Sequence, residues 1–220
     1  MGAEKPNREG MNITLVGDFN PKIFQPAWFA AQEPPLIPKL EAEAANVEII
    51  HPDVAIFDVD WFRLQVTTDR FHISTTQESR YEFLRDLVLG TFQLLQHTPV
   101  SAMGINKDAH WGVESEEVWH EFGNRIAPKD IWNGILEKPG LLSLTIQGVR
   151  TDGHKGNVNV TVQPSMQIHP GIYFGVNDHY SVENPEAVLG CTEMMDILRS
   201  CFYESIARSD KIIGDLMERK

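Results

Sequence analysis

The C-terminal part of the sequence carries a long amphipathic pattern that limits how the chain can fold. Between Glu186 and Met217, apolar and small side chains recur every three or four residues, which predicts one long helix with an apolar side. This stripe contains Met194, Leu198, Cys201, Ser205, Ile212 and Leu216, and it is widened by Leu189, Ile197, Phe202, Ile206 and Ile213. Asn184 fits the N-cap and Pro185 the first turn. A helix this long and apolar must pack against something large, and because strand-like segments precede it, we expect a β-sheet.

The rest of the chain alternates strand-like and helix-like patterns. A second amphipathic helix is predicted from Ser79 to His97. Period-two patterns predict strands at Met11–Val16, Val47–Ile50, Val54–Asp60, Phe62–Thr68, Phe71–Thr75, Val100–Ile105, Leu141–Arg150, Asn157–Gln163 and Ile172–Tyr180. Short helices are predicted at Pro21–Gln32, Ser115–Gly123 and Asp130–Leu136, and a loop containing Asp108 and Gly112. The sequence therefore predicts an α+β fold with an antiparallel sheet backed by two long helices.

The order of these elements repeats along the chain. Each half reads as strand, short helix, several strands, long helix, which suggests an internal duplication. We divide the chain into a flexible tail at residues 1–10, a first α+β half at 11–99, and a second at 100–220 that shares its core. The alternative is a single α+β domain whose element order repeats by accident.

In element order, this duplicated unit is similar to the TATA-binding-protein-like folds. In those folds two halves share one continuous curved sheet, with the long helices on its convex side. The resemblance implies a saddle-like arrangement for this chain. It does not imply the same function, because binding DNA in that way needs a basic concave face with inserted aromatic side chains, and this chain is acidic.

Net charge and composition exclude several classes of protein. The formal charge is −12 at pH 7, so we expect no direct nucleic-acid binding through a basic patch and no attraction to anionic membranes. No segment approaches the roughly 20 apolar residues of a membrane span, and no secretory leader is present, so we expect a cytoplasmic protein. Cys191 and Cys201 lie on the same predicted helix, too far apart for a disulfide, and are expected to be buried thiols.

One strand ends in a pair of carboxylates. Asp58 and Asp60 follow the apolar run that starts at Val54, and at alternate positions on a strand both could point to one Mg²⁺. The run superficially resembles the nucleophile strand of haloacid-dehalogenase-like phosphatases. Trp61 follows Asp60 where a Thr or Val is usual, and the family's later Lys and acidic motifs are missing. The simpler interpretation is two carboxylates on the solvent face of a strand.

Few other residues suggest catalysis. Asp178 and His179 could form a carboxylate-oriented base, although neighbours on a strand point to opposite faces. The eight histidines are scattered without metal-ligand spacing, and neither a phosphate loop nor a serine-nucleophile motif is present. We therefore predict no cofactor and no confident metal site, and we lean against an enzyme.

Two loops are candidates for contact with a partner. Trp111 lies beside His110 in the predicted polar loop, and His154 and Lys155 lie in the predicted hairpin loop that starts at Thr151. Core packing is the alternative for Trp111, and an ordinary hairpin tip is the alternative for His154 and Lys155.

The leading hypothesis is a non-enzymatic interaction or assembly module of bacterial or phage type, which binds another protein or itself. A homo-oligomer is plausible because the end strands of an open sheet need covering. Such a module could belong to a multi-protein defence or toxin-neutralising system, an idea that rests on the acidic charge. The alternative is a small-ligand or divalent-metal-binding protein or hydrolase, with Asp58 and Asp60 as first candidates.

Overall fold

One antiparallel sheet of nine strands runs through the protein, and five α-helices accompany it in the computed structural model, which describes residues 5–184 and 189–218. The strands are β1 (Arg8–Gly17), β2 (Asn46–His51), β3 (Val54–Val59), β4 (Phe62–Thr67), β5 (Arg70–Thr75), β6 (Val100–Gly112), β7 (Leu144–Val149), β8 (Gly156–Pro164) and β9 (Gly171–Ser181). The helices are α1 (Pro26–Ala30), α2 (Lys39–Glu43), α3 (Tyr81–Leu94), α4 (Glu116–Ile126) and α5 (Thr192–Glu218). The predicted α+β class with an antiparallel sheet is confirmed.

The first strand of the chain lies in the middle of the sheet. The strand order is β2-β3-β4-β5-β1-β6-β9-β8-β7, and every neighbouring pair is antiparallel. β1 pairs with β5 on one side and with β6 on the other, so residues from both halves of the chain form one sheet. β1 begins at Arg8 rather than at the predicted Met11, so the last part of the predicted tail belongs to this central strand.

Alternation along the strands separates two faces of the sheet. In β1, Met11, Ile13 and Leu15 are buried against the helices, whereas Asn12 and Thr14 point to the opposite side and stay partly exposed. The buried side chains join one large apolar cluster with residues of α3 and α5, and a smaller cluster around Phe174 joins α4 to the end of α5. We call the other side, which carries Asn12 and Thr14, the open face.

The long C-terminal helix is confirmed, but a second long helix is not. α5 has 27 residues, and Met194, Leu198, Cys201 and Ser205 of the predicted stripe are buried. Its predicted start at Glu186, with Pro185 in the first turn, lies outside the described residues. α3 has only 14 residues and ends at Leu94. Among residues 5–184 and 189–218, α5 is therefore the one long helix.

Two predictions for the second half are wrong. The expected loop around Asp108 is part of β6, because β6 finds hydrogen-bonding partners in β1 and β9 through residue Gly112 and its polar residues alternate with buried ones. The helix expected at Asp130–Leu136 is reduced to a short 3₁₀ turn at Asp130–Trp132. Ile131 and Ile135 are exposed there, so a helix would have no surface to pack against.

Both cysteines are buried and unpaired with each other, as predicted. Burial raises the pKa of the Cys191 thiol to about 11, which keeps it protonated near neutral pH. Within the described residues, no helix combines the length and the apolar character that crossing a membrane requires.

Candidate functional site

The two carboxylates predicted to share a cation occupy different surroundings. Asp58 lies on the open face, where Arg63 Nη1 donates to its carboxylate at 2.7 Å. Arg63 also donates to both carboxylate oxygens of Glu48, at 2.7 and 2.8 Å. Asp60 follows the end of β3, and its backbone carbonyl accepts a hydrogen bond from Gln77 Nε2 at 3.3 Å. Asp58 is therefore part of a surface ion-pair network, and no grouping of three or more potential metal-ligating side chains occurs among residues 5–184 and 189–218.

Asp178 and His179 point to opposite faces of β9. The Asp178 side chain is completely buried on the helix side, where it accepts hydrogen bonds from Arg150, Arg208 and Ser205. His179 belongs to the open face, beside its pairing partners Gly104 and Asn157 on the neighbouring strands. The structure therefore does not bring this carboxylate and this imidazole together as an acid–base pair.

Asp178 instead belongs to a buried ionic cluster, defined by Arg150, Asp152, Asp178 and Arg208. The two arginines both bind Asp178, and both also bind Asp152, with Arg208 Nη2 at 2.7 Å from the Asp152 carboxylate. The Arg150 guanidinium also lies over the ring of Tyr180, 3.6 Å from its centroid. The two carboxylates and the two guanidinium groups of the cluster balance in charge. Because Arg150 and Asp152 lie between β7 and β8, Asp178 in β9 and Arg208 in α5, these ion pairs connect the β7–β8 hairpin to β9 and α5.

The ionic cluster makes stability depend on pH. Burial alone would raise the pKa of Asp152, but hydrogen bonds from Arg150 and the backbone N–H of His154 outweigh it and hold the pKa at about 2, below the ordinary 3.8. A carboxyl whose pKa is depressed by folding stabilises the folded state above its unfolded pKa and loses that contribution as pH falls. Above pH 3.8 we expect the wild-type protein to have a larger free energy of unfolding than Asp152→Asn. The difference between the two proteins should shrink as pH falls towards 2.

Urea denaturation of both proteins across this pH range measures that difference. Glu137→Gln, in an exposed loop, is the matched control and should change the unfolding free energy by less than about 0.5 kcal/mol. A difference between wild type and Asp152→Asn that grew as pH fell would contradict the expectation.

All four residues predicted to contact a partner have contacts within the protein, although the Lys155 side chain stays largely exposed. His110 is buried in β6, with Nδ1 at 2.8 Å from Ser165 Oγ, and burial lowers its pKa. Trp111 is half-buried and packs edge-on against Phe174, at 5.6 Å between ring centroids. In the hairpin, His154 Nε2 lies 3.2 Å from Cys201 Sγ, and Lys155 forms a 2.9 Å ion pair with Glu183. The prediction that placed Trp111 in a polar loop is therefore wrong.

The sheet ends at β7 in an unprotected edge, which the sequence analysis did not predict. We call β7 together with the groove beside it the β7 edge. β7 ends the sheet, contains no charged residue, and has Ile146 at 58% and Val149 at 88% exposure. An apolar cavity of about 250 Å³ next to it is lined mainly by Ile126, Leu144, Ile146, Val160, Val162, Ile212 and Leu216.

The opposite end of the sheet is better protected. Its last strand, β2, carries Glu48 and His51 and has a register shift between Val47 and Ile49. Charges and bulges of this kind discourage strands of other molecules from pairing with an edge. The contrast makes β7 the more favourable edge for adding another strand.

Five side-chain amides cross the open face in one line. This amide row consists of Asn12, Asn106, Asn177, Asn159 and Gln147, which lie on the five adjacent strands from β1 to β7. Each amide nitrogen donates to the carbonyl of the next, from Gln147 at one end to Asn12 at the other. The row is thus a polarised hydrogen-bonded chain without net charge.

A notch lies next to the amide row. In the sheet register, Asp108 of β6 stands between Gly10 of β1 and Gly175 of β9, so side chains are missing on both sides of it. We call these three residues the Asp108 notch. A cavity of about 330 Å³ is lined by Asp108 and Gly175 together with Asn12, Asn106, Tyr173 and Asn177.

Asp108 is poorly neutralised inside the notch. Within the described parts of the chain, no hydrogen bond reaches its carboxylate, and Nε2 of the His110 imidazole lies 4.0 Å from it. Burial raises the pKa of Asp108, and the neighbouring His110 opposes this effect. An unfulfilled acceptor on an otherwise hydrogen-bonded surface is available to a ligand.

The sequence contained part of the signal for the open face. Asn157, Asn159 and Thr161 alternate with valines in β8, which correctly indicated one polar face. The notch was missed because Asp108 was assigned to a loop, and a loop residue has no cross-strand neighbours. The comparisons with known proteins found no matching protein-family model and no matching curated protein.

Proposed function

We propose that this protein is a self-associating interaction module, and that the β7 edge is its assembly surface. The observation that carries the proposal is an uncharged edge strand with exposed apolar side chains and an open apolar groove beside it. Monomeric proteins usually protect such an edge, because its unpaired backbone groups can bind another strand.

A second copy fits this edge better than an arbitrary strand does. If two β7 strands pair antiparallel about a two-fold axis, their helix sides face the same way and their open faces also coincide. Leu144 and Ile146 of each copy then meet the apolar groove of the other, while Thr145 and Gln147 extend the polar surface. Like surfaces therefore meet in both layers of the dimer.

Charge also favours a second copy. The whole chain carries −12, so most surfaces of one molecule repel those of another. β7 has no ionisable side chain, so pairing two β7 strands brings no like charges opposite each other within the strands. Asp215, which also lines the groove, forms a 2.8 Å ion pair with Lys211 of the same chain. In addition, seven of the seventeen large apolar side chains that are exposed in the described residues lie between positions 131 and 149, in β7 and the segment that leads into it.

The architecture supports a further part of this proposal, an internally duplicated, saddle-like unit. β1 and β6, the first strands of the two halves, pair in the centre of the sheet, with the other strands of each half on either side. Pairing through β7 would join two such units end to end and leave both open faces accessible. A role within a larger multi-protein system is consistent with this arrangement.

We expect the protein to be a dimer of twice 24.9 kDa in sedimentation equilibrium, and Ile146→Lys to weaken the dimer. Ile146 occurs twice at the two-fold interface, and burying each isoleucine contributes about 1.5–3 kcal/mol, so the dissociation constant should rise about 100-fold. Ile49→Lys is the matched control, because Ile49 is an exposed isoleucine on the β2 edge.

Three results would oppose the proposal. They are a wild-type protein that stays monomeric at all accessible concentrations, a dimer that Ile146→Lys leaves intact, and a dimer that Ile49→Lys weakens equally. Circular dichroism of both variants should match wild type, because both isoleucines are exposed in the monomer.

A further inference from the structure

We propose that the open face is a carbohydrate-binding surface, and that an uncharged oligosaccharide binds in the Asp108 notch and along the amide row. This inference rests on the open face alone and does not depend on self-association through β7. It assigns a ligand to a cavity whose polar groups are partly unused.

The notch is shaped by two close approaches. A Cβ atom at Gly175 would lie 2.6 Å from the hydroxyl oxygen of Tyr173, so the tyrosine side chain extends over this glycine. A Cβ atom at Gly10 would lie 3.0 Å from a carboxylate oxygen of Asp108. Glycine at both positions therefore leaves room for Tyr173 to lie along the sheet and for Asp108 to face the cavity.

The remaining hydrogen-bonding groups require a ligand that both donates and accepts. Asp108 contributes carboxylate oxygens, which only accept while the group is ionised. In the amide row Asn106 and Asn177 each use one N–H and one carbonyl lone pair on neighbouring amides, so each keeps one N–H and one carbonyl lone pair for a ligand. A hydroxyl group can donate to Asp108 and accept from an amide N–H, and a sugar presents several hydroxyls in a fixed geometry.

Other ligand classes fit less well. An anion would meet the Asp108 carboxylate at close range in a chain that is already acidic. An ammonium ion could pair with Asp108 but would leave the amide N–H groups without acceptors. A metal ion is disfavoured because the described residues contain no cluster of its usual ligands.

The length of the amide row suggests more than one sugar unit. Adjacent strands are about 4.8 Å apart, so the four intervals between β1 and β7 span about 19 Å. Tyr173 lies beside the notch, half-buried, and aromatic rings pack against the apolar C–H faces of sugars. An extended neutral glycan lying across the strands would use both the notch and the row.

The test is titration of the full-length protein with cellotetraose, maltotetraose and chitotetraose. Calorimetry measures the binding, and NMR reports the signals of the side-chain amide groups. We expect at least one of the three sugars to bind and to shift the amide signals of Asn12, Asn106 and Asn177. Asp108→Asn should weaken that binding at least about tenfold, because it removes a charged acceptor. Asp53→Asn, in an exposed turn, is the matched control and should bind like wild type.

A second variant separates folding from binding. Gly175→Ala should displace Tyr173 and weaken sugar binding although it leaves the Asp108 carboxylate in place. Circular dichroism of Asp108→Asn should match that of wild type, so a loss of binding in that variant does not come from unfolding. The proposal is overturned if none of the three sugars binds at millimolar concentration. It is also overturned if Asp108→Asn binds as tightly as wild type, or if the amine putrescine binds through Asp108 and the sugars do not.

Discussion

Replacement of Asp178 by alanine is expected to lower the free energy of unfolding by about 3–5 kcal/mol, the usual cost of removing one partner from a buried ion pair. Asp178 is fully buried, and it accepts hydrogen bonds from Arg150, Arg208 and Ser205. The variant leaves two guanidinium groups facing each other with only Asp152 to neutralise them. Their mutual repulsion and the lost hydrogen bonds both act against the folded state.

Urea denaturation at neutral pH measures this effect. Asp53→Ala is the control, because Asp53 is an exposed turn residue and should change stability by less than about 0.5 kcal/mol. A triple variant, Arg150→Met, Asp178→Leu and Arg208→Met, leaves only the partly exposed Asp152 charged and should be less destabilised than Asp178→Ala. A loss below about 1 kcal/mol for Asp178→Ala would show that water or rearrangement satisfies the arginines.

Gly156→Ala is expected to have the second largest effect, a loss of about 3 kcal/mol or more in the free energy of unfolding. Gly156 begins β8 with a φ angle of 135°, which L-residues rarely adopt. A Cβ atom there would also lie 2.0 Å from the backbone carbonyl oxygen of His179. To remove this clash, the start of β8 must move away from β9, and this part of the sheet lies next to the ionic cluster.

Gly148→Ala provides a matched control in the neighbouring strand. The nearest atom to a Cβ at Gly148 is a backbone oxygen at 3.7 Å, which is an ordinary contact. Thermal denaturation should therefore place Gly148→Ala within about 0.5 kcal/mol of wild type and Gly156→Ala far below it. Equal stability of the two variants would contradict the expected clash.

Local patterns predicted the elements of this fold better than their lengths. Alternation in β8 and the apolar stripe of α5 are strong signals, because one side of each element is buried and the other is solvated. The pattern failed at Asp108, where polar residues continue a strand whose two neighbours are distant in sequence. It also failed at Ile131 and Ile135, because their helical spacing is not supported by any packing surface.

The candidate sites were less predictable than the fold. Asp178 was predicted as part of a carboxylate–histidine pair, whereas its actual partners Arg150 and Arg208 come from other elements and cannot be identified by spacing. The amide row depends on the register of five strands, and a shift of one residue in any strand would break it. The β7 edge depends on strand order, which no single segment of the sequence encodes.

The central position of β1 has a consequence for how the protein is made. Its partners β5 and β6 end at Thr75 and Gly112, so about half the chain must be synthesised before both sides of β1 are paired. Contacts between such distant segments slow folding, since a long loop must close before they contribute. Until then at least one edge of β1 has no partner strand and its apolar side is not fully covered, and chaperone binding during that interval would be an advantage for this topology.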